Sequence, residues 1–188
     1  PRFTVVPAEA NPQPILVQGV RARGIKVPQS YEEAIGSPQR RFWQEAMEEE
    51  LSSLKSKAVW ELVPLPEGRK VIPTKWVFDL KRDERGNVIR FKARLVAKGC
   101  AQREGIDFGE VYAPASNATT TRMLFAMAAA KKLHLRQVDV KTAFLYGVVE
   151  EEIYMKQPEG YEDGSGLVCR VNKAIYGLKK APRCWYAR

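Results

Sequence analysis

Metal ligands and disulfide partners are scarce in this 188-residue sequence, which has three cysteines and one histidine. Cys100, Cys169 and Cys184 are odd in number and lack the paired spacing of a zinc site or disulfide framework, so they read as reduced thiols. His134 has no ligand partner nearby in the chain, and an ordinary satisfied or exposed imidazole is the better reading. Long apolar runs are also missing. None approaches the ~20 residues of a membrane-spanning helix, and no signal-peptide pattern opens the chain. An intracellular protein, cytoplasmic or nuclear, with no membrane partner is the expectation. There is no internal repeat. The sequence begins at Pro1 rather than Met and ends inside a strongly patterned run, Ala181 to Arg188, so a piece of something longer is expected.

What is plentiful is positive charge and enough apolar material for a core. A hydrophobic content of 45% suffices for one ordinary domain, or two small lobes sharing a core. The net charge of +9 matters most for where it sits. Between Gly68 and Arg103, eleven basic residues stand against Asp79, Asp83 and Glu84, and from Arg170 to Arg188 there are six basic residues and no acid. The remainder is net acidic, much of it in Glu150 to Asp163. Clustered positive charge points to a polyanion partner, most often nucleic acid, with a merely solvated basic surface as the competing reading.

Residues 1–28 hold five prolines and no periodicity, which suggests a flexible linker or arm. Ser37-Pro38 signals a helix start, and Trp43, Met47, Leu51, Leu54 and Ala58 fall on one stripe of the amphipathic helix that follows. Phe42-Trp43 reads as core. This lead-in helix and its loop occupy residues 29–66. From 67 to 116 the period is alternating: Trp76, Phe78 and Leu80 share one face of a strand, a turn follows at Asp83 to Asn87, and Val88 to Ala97 returns as a second strand. On it Ile89, Phe91, Ala93 and Leu95 share a face opposite Arg90, Lys92 and Arg94. Three cations in a row repel unless counter-charge is supplied, and phosphates are a natural source. In residues 117–188, Thr119 to Thr121 would cap a helix with Met123, Leu124 and Met127 on an apolar stripe. A strand from Leu135 would lead to Asp139, and further strands would lie at Ile153 to Met155 and Leu167 to Val171.

The stretch Gln137-Val138-Asp139-Val140-Lys141-Thr142-Ala143-Phe144 carries the chemistry. A carboxylate at a strand end can hold Mg²⁺, which usually binds through one or two carboxylates plus substrate phosphates. Phe144, five positions on, would set a ring beside the metal. An Asp capping the strand and a core Phe fit the same spacing.

Three stretches together resemble the reverse transcriptase of Ty1/copia-type long-terminal-repeat retrotransposons: Lys92 to Gly99, Asp139 with Ile153 to Gly160 behind it, and Tyr176 to Arg183. Their order and spacing match from about Tyr31 to the last residue, with Trp43 and Trp60 to Pro64 fitting the family's lead-in. The resemblance implies an α+β right-hand polymerase, of which this chain has the fingers and the first half of the palm. Asp139 would be the first catalytic, metal-binding carboxylate, and the Val140 carbonyl would help hold the same Mg²⁺. Phe144 resembles the aromatic that excludes a ribose 2′-hydroxyl from the deoxynucleotide site. Lys92 and Arg94 resemble the residues that hold the triphosphate, with Arg90 and Lys98 as further candidates or as nucleic-acid contacts. Gly177, Lys179, Lys180, Pro182 and Arg183 fall in the segment that lines the template. The implied partners are an RNA template, a DNA primer, a deoxynucleoside triphosphate and the remainder of the Pol polyprotein: the rest of the palm, the thumb and RNase H.

The sequence also departs from the family pattern, with Lys180 where Gln is usual and Tyr146 where Asn is usual. No two aspartates are adjacent anywhere in it, so the Tyr-x-Asp-Asp hairpin is absent. A two-metal mechanism needs both ions roughly 3.5–4 Å apart. The leading expectation is a fragment of an RNA-directed DNA polymerase that is inactive alone. A non-catalytic nucleic-acid-binding remnant is second, and a structural or protein-interaction domain, which leaves the clustered charge unexplained, is third.

Overall fold

Alternating burial of Trp76, Phe78 and Leu80 marks β3 (Thr74–Arg82), and the burial of Phe91, Ala93, Leu95 and Ala97 marks β4 (Val88–Ala97). The computed structural model describes residues 25–188. In it these two strands pair antiparallel as a long hairpin. Asp83 closes the turn, its Oδ1 accepting the Arg85 and Asn87 amide N–H groups at 3.0 and 2.7 Å. The register shifts between Lys81 and Arg82, which leaves Ile89 as the extra residue of a bulge. Ile89 therefore drops out of the inward face expected from alternation, and Val88 is buried in its place.

Helix α2 (Arg40–Ser56) lies across this hairpin and puts Trp43, Met47 and Leu54 into the core. The Trp43 ring meets Phe91 and Phe78 edge-on at 4.6 and 5.3 Å, and Phe42 stacks on Phe91 at 5.0 Å. Large rings in such arrangements contribute beyond the area they bury. The helix does not start at Ser37-Pro38. A short helix α1 (Tyr31–Gly36), capped by the Ser30 hydroxyl, comes first, and Ser37 ends it by bonding back to the Ala34 carbonyl. Ser and Pro are good punctuation for a stop as well as a start, which is why the sequence alone reads them the other way. Ile25 and Val27 pack against the core and Pro28 is buried, while the rest of the expected arm, residues 1–24, lies outside the described residues.

A second sheet has strand order β1 (Trp60–Val63), β6 (Val168–Val171), β5 (Tyr154–Met155), β2 (Val71–Ile72). All its pairs are antiparallel except β2 with β5. The expected strands at Ile153 to Met155 and Leu167 to Val171 are β5 and β6; β1, hidden in the lead-in, was not anticipated. Only Pro73 separates β2 from β3, so the sheet and the hairpin share a corner. Helix α4 (Ala181–Tyr186) closes the described chain.

Two expectations fail between these parts. Helix α3 (Ala118–Ala130) is capped by the Asn117 side chain, which accepts the Thr120 amide N–H at 2.8 Å, and not by Thr119 to Thr121. Its apolar stripe is exposed: Met123, Leu124 and Met127 keep 57%, 55% and 44% of their surface in solvent. The strand expected at Leu135 to Asp139 is irregular and exposed throughout. A strand needs a ladder partner, and among the described residues none pairs with it.

Helix α2 ends in a left-handed residue that is not glycine. Ala58 has φ 48°, its N–H bonds the Lys55 carbonyl at 2.9 Å, and the Val59 N–H bonds the Leu54 carbonyl at 3.2 Å. This is the double-bonded helix stop in which glycine is preferred at the left-handed position. Ala58→Gly is expected to stabilise the chain by about 0.5–1 kcal/mol, raising the thermal midpoint. A lowered midpoint would contradict this reading of the helix end.

Candidate nucleotide-binding site

The outward face of β4 carries Arg90, Lys92 and Arg94, and α2 sets carboxylates in front of it. Arg90 pairs with Glu49. Glu50 is half-buried and accepts the Leu95 amide N–H at 3.3 Å. Beyond them lies a cavity of about 420 Å³, walled by Glu50, Lys92, Arg94, Asp139, Val140 and Tyr176 among others. That volume is in the range of small-ligand sites. Candidates far apart in sequence therefore converge: the β4 cations Lys92 and Arg94 share one cavity with Asp139 and Val140.

Burial, reinforced by Arg94 and Arg90, pushes the Lys92 ammonium below its ordinary pKa. Burial likewise pushes the Glu50 carboxyl up, against the pull of the Leu95 N–H, Arg94 and Lys92. A cationic wall held partly dehydrated favours an anion that can bond to it directly. Glu50 was missed in the sequence although its signal is there: it sits three residues after Met47 and four before Leu54, on the buried stripe of α2.

Phe144 lies in a 3-10 turn (Ala143–Tyr146) entered through Thr142, which is left-handed at φ 51°. It is half-buried and is not among the residues lining the cavity. Its ring rests edge-on against Tyr176, centroids 5.1 Å apart. Tyr176, the ring that does line the cavity, also lies under the Arg94 guanidinium at 5.8 Å. Tyr176 opens the stretch Tyr176 to Arg183, but its place in the site depends on contacts with two distant segments.

The remaining candidates lie outside this cavity. Lys98, exposed, follows β4, and its amide N–H bonds the Pro73 carbonyl at 2.8 Å. Gly177 is left-handed at φ +91°, and a Cβ there would stand 2.0 Å from the Ala97 carbonyl oxygen, so only glycine fits. The Lys179 amide N–H donates to Gln102 Oε1 at 2.8 Å. Lys180 forms an ion pair with Glu151 that raises the pKa of its ammonium, and Arg183 pairs with Glu110 at 2.8 Å. Pro182 is exposed in the first turn of α4. The basic C-terminal run, free of acids in sequence, thus meets carboxylates from elsewhere in the fold.

Among the described residues no group of three His, Cys, Asp or Glu side chains is arranged to hold a metal. Asp139 and the Val140 carbonyl offer one carboxylate and one neutral oxygen beside the cationic wall. This donor set fits an ion that takes its other ligands from phosphate and water, as Mg²⁺ does. It does not supply the carboxylates of a two-ion cage.

A family model described as reverse transcriptase (RNA-dependent DNA polymerase) matches residues 57–188. The chain belongs to that family. It is 46% identical over 163 residues to the retrovirus-related Pol polyprotein from transposon TNT 1-94 of Nicotiana tabacum, a match that covers 86% of this chain and 12% of that protein. It is 42% identical over 147 residues to the corresponding polyprotein from transposon RE2 of Arabidopsis thaliana, covering 77% of this chain and 10% of that one. The chain thus spans about a tenth of the length of these relatives. No solved structure matches it.

The raised Glu50 carboxyl has a pH signature. Below 4.5, its ordinary value, Glu50 is protonated in both folded and unfolded chains. As pH rises through the elevated native value, the folded state must carry a half-buried charge and loses stability. Gln keeps the acceptor for Leu95 without that charge. Glu50→Gln is expected to melt above the parent at pH 7, with the gap closing as pH falls below 4.5. A variant less stable than the parent at pH 7 would mean that the attraction of Lys92 and Arg94 outweighs burial.

Proposed function

We propose that this chain is the fingers and first half of the palm of an RNA-directed DNA polymerase encoded by a copia-type retrotransposon. The observation that carries the reading is the convergence of Lys92 and Arg94 with Asp139 and Val140 on one cavity. In this reading Lys92 and Arg94 bond the triphosphate of a deoxynucleotide and hold it against the end of β4. Asp139 and the Val140 carbonyl hold Mg²⁺, which in this chemistry neutralises charge at the reacting phosphate. Phe144 and Tyr176 form the aromatic side on which the sugar rests. Template and primer follow the basic surface that leads from Lys98 to α4, and other parts of the polyprotein contribute the remaining carboxylates.

A second reading, a non-catalytic nucleic-acid-binding remnant, uses the same basic surface without polymerisation. Both readings place nucleic acid on the same surface, so binding is tested first and polymerisation second.

Of the seven cations assigned to nucleotide or nucleic acid, Arg90, Lys180 and Arg183 are ion-paired, which leaves Lys92, Arg94, Lys98 and Lys179 outside those pairs. If about four phosphates are neutralised, the logarithm of the binding constant should fall with the logarithm of salt at a slope of about −3.6 for duplex and −2.8 for single strands. A slope close to zero, or no binding at low salt, would remove the nucleic-acid reading. Primer extension by the 188-residue chain is expected to stay at background. Template-dependent incorporation that is lost in Asp139→Asn would show that the chain is sufficient by itself.

A further inference from the structure

The ring of Tyr176 makes two contacts that belong to different parts of the proposed nucleotide site. One face of the environment is Phe144, edge-on at 5.1 Å; the other is the Arg94 guanidinium, 5.8 Å from the ring centroid. Of the two aromatic rings, Tyr176 alone borders the cavity, and Phe144 contacts it from outside the lining. The backbone fixes Tyr176 in turn. Its carbonyl accepts the Ala97 amide N–H at 2.8 Å, and the following Gly177 fits against β4 with no room for a side chain. The ring is therefore referenced to the same strand that presents Arg94.

We propose that Tyr176 is a positioning residue that couples triphosphate binding to sugar discrimination, holding Arg94 and Phe144 in register through one ring. The inference rests on the nucleotide-site reading given above. An electron-rich ring beneath Arg94 restrains a guanidinium on a long, flexible stem, so its donors are already aimed into the cavity before an anion arrives. Phe144 backs this ring from outside the cavity, so a 2′-hydroxyl that presses on Tyr176 meets two rings instead of one side chain with space behind it. Loss of the ring should relax both functions at once. Loss of the phenolic hydroxyl should relax neither, because both contacts are made by the ring.

The test uses the 188-residue chain with three probes in the presence of MgCl₂: inorganic tripolyphosphate, dATP and ATP. Tripolyphosphate reads the Lys92 and Arg94 wall without a sugar, and the ratio of the ATP and dATP dissociation constants reads the aromatic wall. Tyr176→Leu is expected to weaken tripolyphosphate about two- to fivefold, the range of an exposed cation–π contact, and to bring the ATP to dATP ratio toward one. Tyr176→Phe should restore both values to those of the unaltered chain. If Tyr176→Leu alters one readout and leaves the other, the coupling is wrong, and if it alters neither, the ring is only packing. Should Tyr176→Leu melt without cooperativity, the cycle of Arg94→Gln and Phe144→Leu decides instead: their effects on dATP binding should be non-multiplicative with Tyr176 in place, and simple multiplication would overturn the proposal. An unaltered chain that binds none of the three probes would overturn the nucleotide-site reading and this inference with it.

Discussion

Two glycines let the end of β4 and the entry to α4 cross at backbone distance, and the site depends on that crossing. A Cβ on Gly177 would lie 2.0 Å from the Ala97 oxygen, and one on Gly99 would lie 2.0 Å from the Gly177 oxygen. Each strand of the crossing therefore excludes a side chain on the other. The Ala97 N–H to Tyr176 carbonyl bond sets the register. A second close approach continues the chain of constraint, since a Cβ on Gly147 would lie 2.6 Å from the Cys184 backbone, and the Gly147 carbonyl accepts the Ala174 N–H at 2.8 Å. Asp139 is exposed and irregular, yet the segment it opens is pinned at Gly147, then through Ala174 to Tyr176, and through Tyr176 to β4. Lys92 and Arg94 reach the same cavity because of this relay, not through direct contact with Asp139.

Electrostatics then sorts the basic residues into two kinds. Arg90, Arg170, Lys180 and Arg183 are tied to Glu49, Glu61, Glu151 and Glu110, which come from other segments. Apart from the largely buried Lys180–Glu151 pair, these are exposed or half-exposed and worth little each to stability, but all four remove cations from the pool available to phosphate. Lys92 and Arg94 are different: they share the cavity wall with Glu50, a half-buried carboxyl that burial pushes above its ordinary pKa. A positive wall with a weak internal counter-anion is suited to exchange that anion for phosphate oxygens.

The parts legible in the sequence are those decided within a few residues. Alternation placed Trp76, Phe78 and Leu80 inward, Asp83 to Asn87 gave the turn, and helical spacing put Trp43, Met47 and Leu54 in the core. Ile89 escaped because a bulge changes register without changing composition. Residues 135–139 can be read as a short strand on their own, yet a strand is a property of two segments, and no described segment pairs with them. The stripe of α3 was read correctly as apolar, but what covers an apolar face is not local information. In the site, Asp139, Lys92 and Arg94 were found by motif; Glu50 is signalled only by its place on the buried stripe of α2, and Tyr176, though inside a motif stretch, acts through tertiary contacts that the stretch does not announce. The ion pairs of Lys180 and Arg183 were illegible for the same reason: their partners, Glu151 and Glu110, lie in other parts of the chain.

The central claim is that one cavity joins the cations of β4 to the Asp139 segment. It can be read from backbone amide shifts as Mg²⁺ and dATP are titrated into isotopically labelled chain. If the claim holds, the amides of Lys92 to Leu95 and those of Asp139 to Thr142 move together, with one dissociation constant, and Tyr176 moves with them. Shifts confined to β4, or to the Asp139 segment alone, would contradict it and leave two unrelated surface features in place of a site.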